Sequence, residues 1–154
     1  MRRLARGSGV GTAGILTMLG LIHVYWALRG VSGRSVALPE RHGRPVFQPS
    51  RTGTLAVASG LFAAALMLLV RTGALWLPVP DAWPRWGAWT LASLFALRAI
   101  GNFRYVGIFK RVTGTPFARW DSQLFVPLCI LIAAGSAVTA WAGPISHRTS
   151  HKER

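Results

Sequence analysis

LRAIGNFRYVGIFK, residues 97–110, is the stretch on which the reading of this chain turns. Upstream, Trp86 to Leu97 carries no charge, and the hydrophobic period continues through Ile100, Phe103, Val106 and Phe109 on the far side of Arg98 and Arg104. The spacing predicts a membrane helix with its arginines built in. An ionisable group within a span costs about 2.5 to 3.5 kcal/mol on insertion scales, so it marks a functional site or a buried pair.

Working outward, three further blocks have lipid length. Gly9 to Leu28 has no charge over twenty residues, Thr52 to Val70 none over nineteen, and Leu124 to Ala142 none over nineteen. About twenty apolar residues cross a bilayer core, and backbone groups in lipid must be satisfied within each segment. The expectation is an all-α fold, an integral membrane four-helix bundle. A single membrane domain fills residues 1–154, with helices at about 9–28, 52–70, 86–109 and 124–142 and a polar tail over 143–154. The alternating pattern of an outer-membrane barrel is absent from the sequence.

The net charge of +14 and pI near 12.0 would suggest nucleic acid in a chain without such blocks. Here the basic residues fall in loops and tails between lipid-length runs, in a chain that is 51% hydrophobic, so no nucleic-acid partner is expected. Sixteen arginines against two lysines, with abundant Ala and Gly, fit a GC-rich bacterial genome. Cys129 stands alone, which excludes an internal disulfide or a thiolate zinc site within one chain, and a buried thiol is expected. His147 and His151 in the tail have no third ligand, so no metal is expected there. No nucleotide loop, GxSxG, HExxH or paired-carboxylate motif is present, and no cofactor is expected.

Arg2, Arg3 and Arg6 before the first run resemble a signal-peptide n-region. The run, however, ends in His23, Tyr25, Trp26 and Arg29 and lacks small residues for cleavage, so helix one is expected to stay in the membrane. Arg29 to Arg51 holds five arginines and three prolines, and an ordered flap is expected there. Ala56, Gly60 and Ala64 in helix two and Ala88, Ala92 and Ala96 in helix three form small-residue stripes suited to helix packing. Trp76, Trp83, Trp86 and Trp141 are expected at one membrane face, with Trp26 and Trp120 at the other. Asp121 is placed as the N-cap of helix four.

Positive-inside counting leaves the orientation undetermined. With the N-terminus inside, Arg2, Arg3, Arg6, Arg71, Arg85, Arg148, Lys152 and Arg154 make eight cytoplasmic charges against nine on the other side. Either way, an up-and-down path brings the end of helix one, the first loop, the end of helix three, the third loop and the start of helix four to one side.

His23 lies about 7 to 8 Å below that surface at 1.5 Å per residue. Arg98 is expected at similar depth, with Arg98, Gly101, Asn102 and Tyr105 sharing a helical face and Asp121 entering from helix four. His23 and Asp121 are the candidate catalytic residues, and Arg98, Asn102, Arg104, Tyr105, Tyr25 and Trp26 the candidate ligand contacts. Each has a plainer role open to it. His23 fits an interhelical hydrogen bond, Arg98 a structural pair with Asp121, and Tyr25 and Trp26 interfacial anchors, while Arg104, Lys110 and Arg111 fit headgroup contacts.

The set HVYWALRG at 23–30, FQPS at 47–50, LRAIGNFRYVGIFKR at 97–111 and TPFARWDSQLFVPLC at 115–129 resembles a family of small bacterial four-helix integral membrane proteins, domain of unknown function 3995. The resemblance implies fold and membrane location and no activity. Two positions depart from it: Arg29 stands where the family pattern has glycine, and Asn102 where it has an acid. The leading functional reading is a cell-membrane, multi-pass protein whose polar layer binds an anionic or amphipathic small molecule or a lipid. The alternative is an accessory subunit whose polar layer only locks the bundle, with a membrane-protein partner or a second copy against its small-residue stripes. A transporter ranks lowest, because no inverted repeat is visible.

Overall fold

The computed structural model describes residues 2–30, 38, 40–41, 44–45 and 49–142. Its elements are α1 (Arg2–Arg29), a two-residue antiparallel pair of β1 (Glu40–Arg41) and β2 (Arg44–Pro45), α2 (Arg51–Arg71), α3 (Ala82–Ile100), α4 (Pro116–Trp120), a π-helical turn (Asp121–Phe125) and α5 (Val126–Trp141). α4, the π turn and α5 run on as one fourth helix. Most of the expected flap over 29–51, and the 143–154 tail with its two histidines, lie outside the described residues.

The four helices pack in a ring in chain order, α1 on α2, α2 on α3, α3 on α5 and α5 back on α1. Contacts between helix ends give the direction. Ser8 Oγ near the start of α1 donates to Gly135 O in the second half of α5 at 3.5 Å, and Trp89 near the start of α3 meets Trp141 edge-on at 6.4 Å. Consecutive helices are therefore antiparallel, and the ends of α1 and α3 share a side with the starts of α2 and α4.

The radial distribution of side chains is that of a bundle in lipid. The interior is built largely from small residues, among them Ala13, Ala58, Ala65, Ala88, Ala92 and Ala140, with Leu16, Leu68 and Ile132 as its fully buried large side chains. Leu, Ile, Val and Trp cover the outside. Without a hydrophobic drive between helices in lipid, association rests on close backbone approach, which small residues permit. Gly135 illustrates it, since a Cβ there would run into Thr12 of α1.

Among the described residues, three helices are long and apolar enough to cross a membrane: Arg3–Arg29, Arg51–Arg71 and Pro116–Trp141. The nineteen residues of α3 include Arg85, Arg98 and Pro84, which dilute its hydropathy, and it packs instead as the fourth wall through Ala88, Leu91, Ala92 and Ala99.

Several boundaries differ from the sequence expectation. The 86–109 helix ends at Ile100, and the fourth helix begins at Pro116, not near 124. The α2 stripe is offset, because Ala56 and Gly60 are exposed while Thr54, Ala58, Ala65 and Leu68 face inward. Ala96 of the α3 stripe is also exposed. Arg71 is buried, not a loop charge: its Nη2 donates to Ala140 O at 3.3 Å and to Ala142 O, covering carbonyls that the end of the fourth helix leaves unpaired.

Candidate functional site

The site begins where α3 stops. Gly101 takes φ +88° and ψ −171°, a backbone region open in practice only to glycine, and its N–H closes the last turn on Leu97 O. Asn102 follows with its side-chain Oδ1 accepting from three consecutive amides, Arg104 at 3.1 Å, Tyr105 at 2.8 Å and Val106 at 3.2 Å. Gly107 at φ +92° then brings the chain back against its own start, so that Ile108 N donates to Ala99 O at 2.8 Å. Residues 101–115 are thus a tight non-helical loop, and Arg98, Asn102 and Tyr105 do not share a helical face.

Asp121 lies under this loop, fully buried. Arg98 Nη2 donates to its Oδ1 at 2.9 Å, while Gly107 N at 2.9 Å and Lys110 Nζ at 3.1 Å donate to its Oδ2. The Lys110 ammonium also donates to Ser122 Oγ at 2.7 Å and Gly107 O at 3.2 Å, so its three hydrogens meet three acceptors. Lys110 is accordingly a buried partner, not a headgroup contact, with its side chain 5% exposed. Nor does Asp121 cap the helix. That position belongs to Thr115, whose Oγ1 accepts from Ala118 N at 3.1 Å, with Pro116 in the first turn, where its missing N–H does no harm.

The π turn sets the direction of Asp121. Pro127 has no N–H to give, and just before it the ladder widens so that Val126 N donates to Asp121 O, five residues back. Single π turns inside α-helices recur at functional sites. Here the turn places Asp121 and Ser122 together on Lys110.

The remaining candidates are more dispersed. His23 is half-buried, and its Nδ1 lies 2.7 Å from Leu19 O of its own helix. A carbonyl only accepts, so Nδ1 carries a hydrogen and donates it to Leu19 O. The ring packs on Trp26 at 5.2 Å, and among the described residues His23 makes no hydrogen bond to Arg98 or Asp121. Tyr25, two residues on, lies on the opposite side of α1 and is exposed. Arg104 sits over the Tyr105 ring at 5.2 Å, outside the Asp121 cluster. Cys129 is a free, buried thiol. No group of three or more metal-ligating side chains occurs among the described residues.

Arg98 combines pairing with partial exposure. Its side chain is 35% exposed and one nitrogen holds Asp121, while the other, Nη1, is shut away from solvent without a hydrogen-bond partner among the described residues. Two cations thus share one carboxylate at this end of the bundle.

The role of Asn102 yields a prediction. Asn102→Asp should leave stability within about 0.5 kcal/mol, because a carboxylate accepts from the same three amides, whereas Asn102→Ala should cost about 1 to 2 kcal/mol. Thermal unfolding of the two variants in detergent checks the difference.

Fold and site together define a small four-helix membrane bundle whose third connection is tied down by one buried carboxylate. The family described as "Protein of unknown function (DUF3995)" matches residues 16–136, from the middle of α1 to α5, and the chain belongs to it. No curated protein matches, and no solved structure matches.

Proposed function

We propose that this is a multi-pass protein of the cell membrane whose Arg98 layer binds an anionic or amphipathic molecule at the face that carries the ends of α1 and α3. The observation that supports this reading is the half-satisfied Arg98 guanidinium, with Nη2 on Asp121 and Nη1 without a partner among the described residues. A buried donor left unpaired costs about 1 to 3 kcal/mol, and an anion beside Arg98 would recover that cost through a planar, two-nitrogen contact. Asp121 has no part in chemistry on this reading. Both its oxygens are occupied and it is closed to solvent, so it orients Arg98 and holds the loop. His23, whose Nε2 has no hydrogen-bond partner among the described residues, remains the candidate acid or base.

Arg98→Lys is the discriminating variant, since an ammonium can reach Asp121 yet has no second arm for the anion. Retention of a small amphiphile on purified protein, measured by native mass spectrometry, is expected to fall about tenfold or more, with the folded fraction in detergent unchanged. Equal retention would remove Arg98 from the site.

A second reading has its own support. Every Lys110 hydrogen and both Asp121 oxygens are satisfied within the chain, as in a clasp that only locks the bundle of an accessory subunit. Under that reading Arg98→Lys would change neither retention nor function, and the protein would co-purify with a membrane partner in gentle detergent.

A further inference from the structure

The loop that Asp121 holds has an outer surface of unusual make-up. Phe103, Ile108 and Phe109 are each more than half exposed, and the two phenylalanine rings stack at 6.0 Å with 26° between their planes. Arg104 and Arg111 flank them, both exposed. Their backbones run side by side, with Arg111 N donating to Arg104 O at 3.2 Å and Val112 N to the same oxygen at 3.0 Å. Between Ile100 and Pro116 the sequence has no acidic residue, and Asp121, the next acid along the chain, is turned inward and paired with Arg98 and Lys110.

Folding does not explain this surface. Exposed aromatic rings contribute little to a core, and Phe103 sits at φ +59°, a conformation that costs a bulky residue about 1 to 2 kcal/mol. The rings are nevertheless held outward, next to two adjacent cations, on the loop that joins the end of α3 to the start of the fourth helix. Apolar rings that enter the acyl boundary and guanidinium groups that take phosphate are the two halves of an interfacial lipid contact.

From this juxtaposition we infer that the surface of Phe103, Arg104, Ile108, Phe109 and Arg111 docks on anionic phospholipid headgroups of its own leaflet, with Arg104 and Arg111 sharing the phosphate. The inference extends the anion-binding reading above, names lipid as the ligand class and stands independently of Arg98. It also places a second contact, distinct from Arg98, on the outer side of the loop. The rigid construction of the loop fixes the spacing of the two arginines before any lipid arrives, which reduces the ordering cost of binding.

The test uses the full chain in nanodiscs of phosphatidylcholine with and without phosphatidylglycerol, and counts each retained phospholipid by native mass spectrometry. A basic residue at an anionic surface contributes about 1 kcal/mol, about fivefold, so R104Q/R111Q is expected to bind phosphatidylglycerol about 25-fold more weakly. R104K/R111K, which restores charge, is expected to recover most of it, and F103A/F109A to weaken retention in both lipid mixtures. Unchanged phosphatidylglycerol binding in R104Q/R111Q, together with loss in Arg98→Lys, overturns this inference and leaves the Arg98 reading standing. The reverse pattern retains the loop and removes Arg98. Wild-type protein with no preference for phosphatidylglycerol, and a membrane protein bound through Phe103 and Phe109 instead, overturns it outright.

Discussion

An Asp121→Ala protein is expected to lose about 3 to 5 kcal/mol of stability, the cost of removing one partner from a buried charged set. Three donors lose their acceptor at once: Arg98 Nη2, Lys110 Nζ and the Gly107 amide. Lys110 suffers most, because it is 5% exposed and cannot turn its ammonium to water without leaving the cluster. Equilibrium unfolding in detergent should register the loss, with the purified yield falling in parallel. A variant with all three charges replaced, Arg98→Met, Lys110→Met and Asp121→Leu, is expected to regain much of that stability, since a buried ion set exchanged as a whole for apolar side chains is often neutral. It should nevertheless lose the retention that depends on Arg98, about tenfold or more, as in Arg98→Lys. Recovery of both stability and retention would show that the charges serve neither purpose.

Gly101→Ala is expected to be nearly as severe, costing about 3 kcal/mol or more. The backbone at Gly101 lies in a region that only glycine occupies without strain, and an added Cβ would meet the Val106 carbonyl, which is backbone and cannot rotate away. Gly107→Ala should behave alike, because its Cβ would strike Ile100 O and Gly101 across the same neck. Gly114 supplies the control. Nothing lies within 4 Å of a Cβ there, and Gly114→Ala should change stability by no more than about 0.5 kcal/mol. Thermal midpoints of the three variants in one detergent make the comparison.

The helices were legible because lipid imposes long uncharged runs, and the sequence contains them. Arg98 and Asp121 could be brought to one side from chain order alone, since an up-and-down path fixes which ends meet. What hydrophobic period hid was the loop. Ile100, Phe103, Val106 and Phe109 keep a helical spacing, yet only Ile100 is helical and the other three belong to a turn in which Phe103 and Phe109 stack on each other. The local signals for that turn were in the sequence. Gly101-Asn102 is a turn pair, Gly107 repeats the break, and Thr115-Pro116 is a helix start with its cap and its first-turn proline. Apolar spacing was given more weight than punctuation, and the third helix was drawn about nine residues too long, to 109 instead of 100.

Lys110 and Arg71 were missed for a related reason. Both stand near expected membrane boundaries, where a cation ordinarily reaches to headgroups, and only the folded path shows that one closes on Asp121 and the other on the end of the fourth helix. A lysine beside a tight glycine turn, eleven residues before the one carboxylate of the segment, is the signal that pointed to the first. Nothing local pointed to Arg71, whose partners lie about seventy residues away.

Amide hydrogen exchange over residues 101–112, compared between the wild-type chain and Asp121→Asn in nanodiscs, tests most directly whether Asp121 holds the loop that presents the site. Protection across this stretch, at Gly107 above all, should fall about tenfold or more in the variant while α1 and α5 stay protected, as expected when one charge-assisted bond to a loop is lost. Unchanged protection at Gly107, or equal loss across every helix, would contradict the clasp.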